Sequence, residues 1–151
     1  MGFTVVGGSE FRAALKATAD RTKVATRKAT STGAHLIEAD TKKVMGRYAH
    51  PKGTRTNAPA GGPPAVVSGQ LRRSVKVTGP RSLGGGTYEA KIGPTAAYGR
   101  IQELGGEIWT GARLPARPYL APTVAALIKS GRLRDVYIAA WSGSFSSTRM
   151  F

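Results

Sequence analysis

Cysteine is absent from this 151-residue chain, and only two histidines occur in it. The lack of cysteine excludes disulfides, thiolate metal ligands and cysteine nucleophiles, and it is typical of a protein made in a reducing cytoplasm. The chain has no window of eighteen apolar residues and no basic N-terminal segment followed by an apolar run. We therefore expect no membrane span and no signal peptide.

Acidic residues are also scarce, since 8 Asp and Glu stand against 23 Lys and Arg, for a formal net charge of +15. A net charge this large gives information about the binding partners of a protein rather than about its fold. Nucleic acid, an anionic membrane or acidic protein surfaces could balance it, and plain solvation of helix faces is the simplest alternative. Aromatic residues make up 7% and do not alternate with the basic ones, so a platform that stacks bases is not expected.

The first half of the chain predicts an extended arm, a long helix and an irregular loop. The arm covers residues 1–8, and Ser9 is placed to cap the helix that follows. From residue 10 to about residue 48 there is no proline, and apolar residues recur at helical spacing. We expect one long helix, bent near residues 30–33. Its apolar stripe is thin and many threonines weaken it, so it should pack on a sheet or on a neighbouring subunit.

Residues 50–69 contain four prolines and four glycines, which exclude regular structure. Loops of this length are usually functional or disordered. In an assembly, the loop could become ordered against a neighbouring subunit.

The second half predicts two hairpins and two helices. The predicted strands are 74–78 and 87–92, joined by a loose turn over 79–86, and a smaller hairpin pairs 107–109 with 113–115. A short helix over 96–104 ends at Gly105, and a last helix runs from Pro118 or Pro122 to about Trp141 before a serine-rich, mobile tail over 142–151. This order is an α+β fold in a single domain over residues 1–151, with a long N-terminal helix, a small antiparallel sheet of hairpins, a short helix and a C-terminal helix.

No histidine or glycine pattern indicates chemistry. His35 and His50 have no partner at the spacing of metal ligands. The glycines at 84–86 are followed neither by Lys-Ser or Lys-Thr nor by a helix start, so they predict a turn rather than a phosphate-binding loop.

The carboxylates likewise offer no catalytic pair. Glu38 and Asp40 point to different helix faces, and only Glu103 and Glu107, on either side of a Gly-Gly pair, could approach each other. We therefore predict a protein that is not an enzyme and that has no catalytic residues, no cofactor and no metal.

Short basic clusters occur at Lys42-Lys43, Arg72-Arg73 and Arg132/Arg134. Such clusters favour non-specific, salt-sensitive contact with phosphates. No motif that reads a DNA sequence accompanies them.

Several short motifs follow one another in a fixed order between residues 69 and 122. They read Gly69-Gln-Leu71-Arg-Arg-Ser74, Gly93-Pro94, Ala97-Tyr98, Glu103-Leu104-Gly105 and Leu114-Pro115-Ala-Arg-Pro118-Tyr119-Leu120-Ala-Pro122. Together they resemble the tail-completion, or head–tail joining, family of long-tailed phages. In that family Phe is usual where this chain has Tyr119. The likeness extends over almost the whole chain, from Val6-Gly7 onward.

The resemblance implies a structural virion protein at the head–tail junction, assembled in the host cytoplasm. It implies a closed, sixfold ring of identical copies that contacts a connector or stopper protein and the tail tube, with loose contact to DNA in the channel and none with a membrane. The candidate motif or subunit-interface residues are Gly69, Leu71, Ser74, Gly93, Tyr98, Glu103, Gly105, Pro115, Pro118, Tyr119 and Leu120.

Physical roles for the motif residues are mostly local. Ser74 should bond nearby backbone where a strand begins, Gly93-Pro94 should form a turn, and Tyr119 with Leu120 should plug the sheet. Glu103, an acid on a basic subunit, could pair with an arginine of a neighbouring copy.

Two alternatives stay open. The first is another minor tail or baseplate component. The second is a basic protein that binds DNA without sequence preference. Tail-completion, tail-terminator and stopper proteins are not separated by these motifs.

Overall fold

A computed structural model describes residues 7–145 of the chain. Its elements, in chain order, are α1 (Gly8–Val44), α2 (Gln70–Ser74), β1 (Val75–Gly84), β2 (Thr87–Pro94), α3 (Gly99–Leu104), β3 (Gly106–Glu107), β4 (Arg113–Leu114), α4 (Leu120–Lys129) and α5 (Arg132–Phe145). The predicted α+β class and element order are confirmed. Residues 1–6 of the predicted arm and 146–151 of the predicted tail lie outside the described part.

Helix α1 differs from its prediction at both ends. It begins at Gly8, after Gly7 in a left-handed conformation. The prediction that Ser9 caps it is wrong, because Ser9 lies inside the helix and its hydroxyl donates to the Glu10 carboxylate. The helix ends at Val44 rather than near residue 48, and Met45, which follows it, buries its side chain.

The threonines of α1 form hydrogen bonds that offset their low helix propensity. Each of four donates its hydroxyl to the carbonyl four residues earlier, at 2.8–2.9 Å. These are Thr18, Thr22, Thr26 and Thr30. Two of them also contact α5: Thr26 accepts a bond from Trp141 Nε1 at 3.0 Å, and Thr30 Oγ1 lies 3.2 Å from the Tyr137 hydroxyl. The threonine face of α1 is therefore the docking face for α5.

Helices α1 and α5 run antiparallel in close contact. The contact face of α1 carries small buried residues, Ala25, Ala29 and Gly33, and a Cβ on Gly33 would lie 3.6 Å from Leu133. Small residues let two helices approach closely, which leaves space for larger side chains from the partner helix. The Asp40 carboxylate pairs with Arg132 at the start of α5.

The prediction of one continuous C-terminal helix is wrong. The chain forms α4 and α5 instead, because Gly131 between them is left-handed with φ 76°. Helix α5 continues to Phe145, so residues 142–145 of the predicted mobile tail are helical.

Strands β1 and β2 form the main hairpin, paired from Val75↔Pro94 to Gly84↔Thr87 with two irregularities. Much of the predicted loose turn is strand, and the chain reverses only at Gly85-Gly86. Gly93-Pro94 does not form the predicted turn, because the two residues pair within β2 with Lys76 and Val75. Both strands lie against α1.

The core lies where α1 ends. Met45, Leu71, Val75 and Tyr119 form one buried cluster, and Leu120 is among the half-buried residues packed on it. Within the described chain, residues 50–69 form no helix or strand beyond a single bridge from Val66 to Ala49, as predicted. The loop is attached to the rest of the molecule by its buried Ala58 and by a bond from the Arg117 guanidinium to the Pro59 carbonyl at 3.4 Å.

Candidate functional site

The motif residues that are separated in the sequence meet around Tyr119. This side chain is 1% exposed and packs with Leu71 and with Val75 of β1, consistent with its predicted role of plugging the sheet. Its hydroxyl donates to the Gly99 carbonyl at 3.1 Å. Burial, followed by the Glu103 charge and Tyr98, raises the pKa of Tyr119 to about 12. The phenol is therefore a fixed hydrogen-bond donor at neutral pH.

Glu103 caps helix α4 from outside that helix. Its Oε2 accepts the backbone N–H groups of Tyr119 at 2.8 Å and Leu120 at 3.0 Å, and its Oε1 accepts that of Ala121 at 2.9 Å. The first N–H groups of a helix have no partner within the helix, and a negative charge there is favourable. Pro122, next in the chain, has no N–H to satisfy. One carboxylate thus satisfies the N–H groups of the whole first turn. Its pairing with an arginine of a neighbouring copy stays a prediction.

Three further motif residues have local structural roles. Ser74 Oγ donates to the Leu71 carbonyl at 2.7 Å where α2 passes into β1, as predicted. Gly69 precedes α2 with φ 72°. Gly105 ends α3 with φ 70°, and a Cβ there would lie 2.7 Å from the backbone nitrogen of Ala116. Both glycines occupy conformations that other residues rarely adopt.

The other motif residues lie nearer the surface. Tyr98 is 40% exposed and borders, with Arg117, a cavity of about 280 Å³ under the long loop. Pro115 is exposed beside β4, Pro118 is half-buried, and Gly93 has open space where a Cβ would be. Of these, Tyr98, Pro115 and Gly93 are accessible to a partner.

Gly99 is a residue that sequence reasoning missed. A Cβ on Gly99 would lie 2.4 Å from Cγ of Pro94 and 3.3 Å from Leu71 Cδ1. Only glycine allows α3 to approach β2 this closely. A signal existed in the sequence, because a glycine near the start of a predicted helix indicates a packing constraint.

Both histidines have local hydrogen-bond partners. His35 Nδ1 lies 3.1 Å from Glu38, and hydrogen bonds from Lys42 and then His35 lower the pKa of Glu38. His50 Nδ1 lies 3.0 Å from the Pro51 carbonyl. Within residues 7–145, no group of three or more His, Asp or Glu side chains could hold a metal ion.

The comparisons with known proteins add no relative: no family model, no curated protein and no solved structure matches the chain. Among the helices of residues 7–145, none is both long and apolar enough to cross a membrane. Function must therefore be inferred from the chain's own residues and surfaces.

The N-terminal part of α1 is largely exposed to solvent in the described structure. Residues 8–24 include no buried side chain, and Phe11 and Leu15 are 65% and 55% exposed. Helical spacing places both on the face that carries Ala25 and Ala29 further along, where α5 covers it. Among the residues that the structure describes, the apolar stripe of α1 thus continues exposed beyond the α5 contact. At 1.5 Å per residue the 37-residue helix is about 55 Å long.

A second exposed apolar group lies at the small hairpin. Trp109, in the turn between β3 and β4, is 96% exposed, and Leu104 at the end of α3 is 64% exposed. Large aromatic side chains at such positions are common at protein interfaces.

Proposed function

We propose that this chain is a non-enzymatic structural protein of a phage virion, which assembles as a closed ring at the head–tail junction. The motifs of residues 69–122, in their order along the chain, resemble those of the phage head–tail joining family, and this resemblance supports a place in the phage neck. The bare apolar face of α1 supports assembly, and it is the observation on which the proposal rests.

The physical reason is that residues 8–24 bury no side chain within the described structure. Most helices in proteins depend for their stability on the packing of an apolar face. Burying one large apolar side chain contributes roughly 1.5–3 kcal/mol. Cover for Phe11 and Leu15 by the next copy would stabilise both the helix and the assembly. A head-to-tail contact of this kind produces a ring when its rotation closes.

The remaining partners follow from the same surfaces. A ring, sixfold by the resemblance, would contact the connector or stopper protein on one side and the tail tube on the other, with Trp109 as a further apolar contact. Acidic surfaces of these neighbours would balance part of the positive charge. The protein would act in the virion after assembly in the host cytoplasm.

Virions made without the protein test the function. We expect filled heads and separate tails that fail to join, or tails of abnormal length, in electron micrographs. Normal virions would contradict the proposal, and defects confined to the baseplate would favour the alternative of another minor tail component.

Variants of α1 test whether assembly needs the exposed apolar face of Phe11 and Leu15. Supplied in place of the wild-type protein, the double variant Phe11→Ser/Leu15→Ser should fail to restore joined virions. The matched control Ala13→Ser/Ala17→Ser places the same serines on the opposite face of the same exposed segment, and it should restore them. Unfolding temperatures of both should match the wild type, because all four side chains are exposed. Full restoration by the first variant would exclude this face from assembly.

A further inference from the structure

Basic clusters that are distant in the sequence meet at one cavity. Lys42 near the end of α1, Arg72 and Arg73 of α2, and Lys76 of β1 line an open cavity of about 500 Å³. The rest of its wall is formed by residues 66–69, which include the Ser68 hydroxyl. Four cations thus border a single space.

Most of this positive charge is uncompensated. Lys42 pairs with Glu38, whereas Arg72, Arg73 and Lys76 pair with no carboxylate and donate no side-chain hydrogen bond within residues 7–145. Other carboxylates are engaged elsewhere: Asp20 with Lys23, Asp40 with Arg132, Glu89 with Arg81, Asp135 with Arg134, and Glu103 with the α4 backbone. The cavity therefore has three neighbouring cations without an acidic partner.

We propose that this cavity binds phosphate groups of a nucleic-acid backbone. Like charges around one space repel each other unless an anion lies between them. The guanidinium forks of Arg72 and Arg73 match phosphate oxygens, and Ser68 can donate a further bond. A nucleic-acid strand presents phosphates in series, so it can engage several cations at once. Because no aromatic side chain lines the cavity, contact would be with the backbone and without sequence preference.

This site is independent of the ring, since every residue in it belongs to one copy. Unassembled full-length protein should therefore bind duplex DNA. Failure of the ring would leave the site intact, and failure of the site would leave the ring intact.

A charge-matched pair of triple variants tests the site. Arg72→Gln/Arg73→Gln/Lys76→Gln removes three cations from the cavity, and Arg55→Gln/Arg113→Gln/Lys129→Gln removes three exposed cations that do not line it. Affinity for a short DNA duplex is measured at several salt concentrations. Because each phosphate contact contributes about 0.9 to the salt slope, the cavity variant should lose about 2–3 from that slope and at least about tenfold in affinity. The control should keep the wild-type slope.

Three outcomes would overturn the proposal. One is an equal loss in the two triple variants, which would assign binding to net charge alone. Another is binding of poly-glutamate but not of DNA, which would indicate an acidic protein partner. The third is an absence of amide shifts over residues 68–76 in spectra recorded with inorganic phosphate. If the cavity variant unfolds, Arg72→Lys/Arg73→Lys keeps the charge but removes the forks, and it should weaken binding to an intermediate degree.

Discussion

At the residue scale, Glu103 connects its own motif to the motif of Tyr119, sixteen residues later in the chain. Its carboxylate accepts three backbone N–H groups at the start of α4. The sequence identified Glu103 as a candidate but not its role, because the backbone it caps lies sixteen or more residues later. The burial of Tyr119 was predictable because the family that the motifs resemble usually has Phe, another aromatic residue, at this position. The hydrogen bond from the Tyr119 hydroxyl to Gly99 was not predictable, because only the folded chain brings the two residues together.

Replacing Glu103 by alanine should lower the free energy of unfolding by about 2 kcal/mol, because bonds to a charged group contribute roughly 1.5–3 kcal/mol. Urea unfolding followed by circular dichroism measures the change. Glu107→Ala is the matched control: it removes an exposed carboxylate close by in the chain, and a surface change of this kind should stay within about 0.5 kcal/mol. Equal effects of the two variants would contradict the capping role.

Tyr119 should make stability depend on alkaline pH. Its pKa of about 12 in the folded chain exceeds the ordinary value of 10.0, so the folded state keeps a proton that the unfolded chain loses. The stabilisation is complete below pH 10 and is lost as the pH rises through 12. In an absorbance titration of the five tyrosines, the last phenolate to form should disappear in Tyr119→Phe and persist in Tyr88→Phe. Persistence of that last step in Tyr119→Phe would assign it to another tyrosine.

At the element scale, local patterns predicted which helices and strands exist, whereas packing decided where they end. The absence of proline from residues 10–48 predicted α1, and alternation predicted the β1–β2 hairpin. Gly131 was compatible with a continuous helix or with a break. The choice belongs to packing, because α4 and α5 both contact α1. Gly93-Pro94 has the composition of a turn, but its pairing with β1 makes it strand.

The contact between α3 and β2 gives a test with an internal control. Gly99→Ala would place its Cβ within 2.6 Å of two Pro94 carbons, and it should destabilise the fold by about 1–3 kcal/mol through overpacking. Gly93→Ala meets nothing within 4 Å, and it should be neutral or slightly stabilising, because alanine restricts the unfolded chain. Thermal unfolding compares the two variants directly. If Gly93→Ala lowered the unfolding temperature as much as Gly99→Ala, the close approach of α3 to β2 would not be the cause of the destabilisation.

At the scale of the whole molecule, one long helix connects a packed part to an exposed part. From Ala25 onward, α1 buries side chains and contacts the β1–β2 hairpin and helices α4 and α5. Before it, residues 8–24 have no buried side chain. Composition indicated a surplus of positive charge but not its location, because the convergence of Lys42, Arg72, Arg73 and Lys76 requires three elements to pack together.

Hydrogen exchange separates these two parts of α1. In the unassembled chain, amides of residues 8–24 should exchange far faster than those of 26–44, because local stability follows the number of buried apolar contacts. If copies cover the Phe11 and Leu15 face, assembly should slow exchange of residues 8–24 by about tenfold or more, which corresponds to about 1.4 kcal/mol of added protection. Residues 26–44 serve as the control within the same helix and should change little. Unchanged exchange of residues 8–24 in assembled particles would mean that other surfaces hold the copies together.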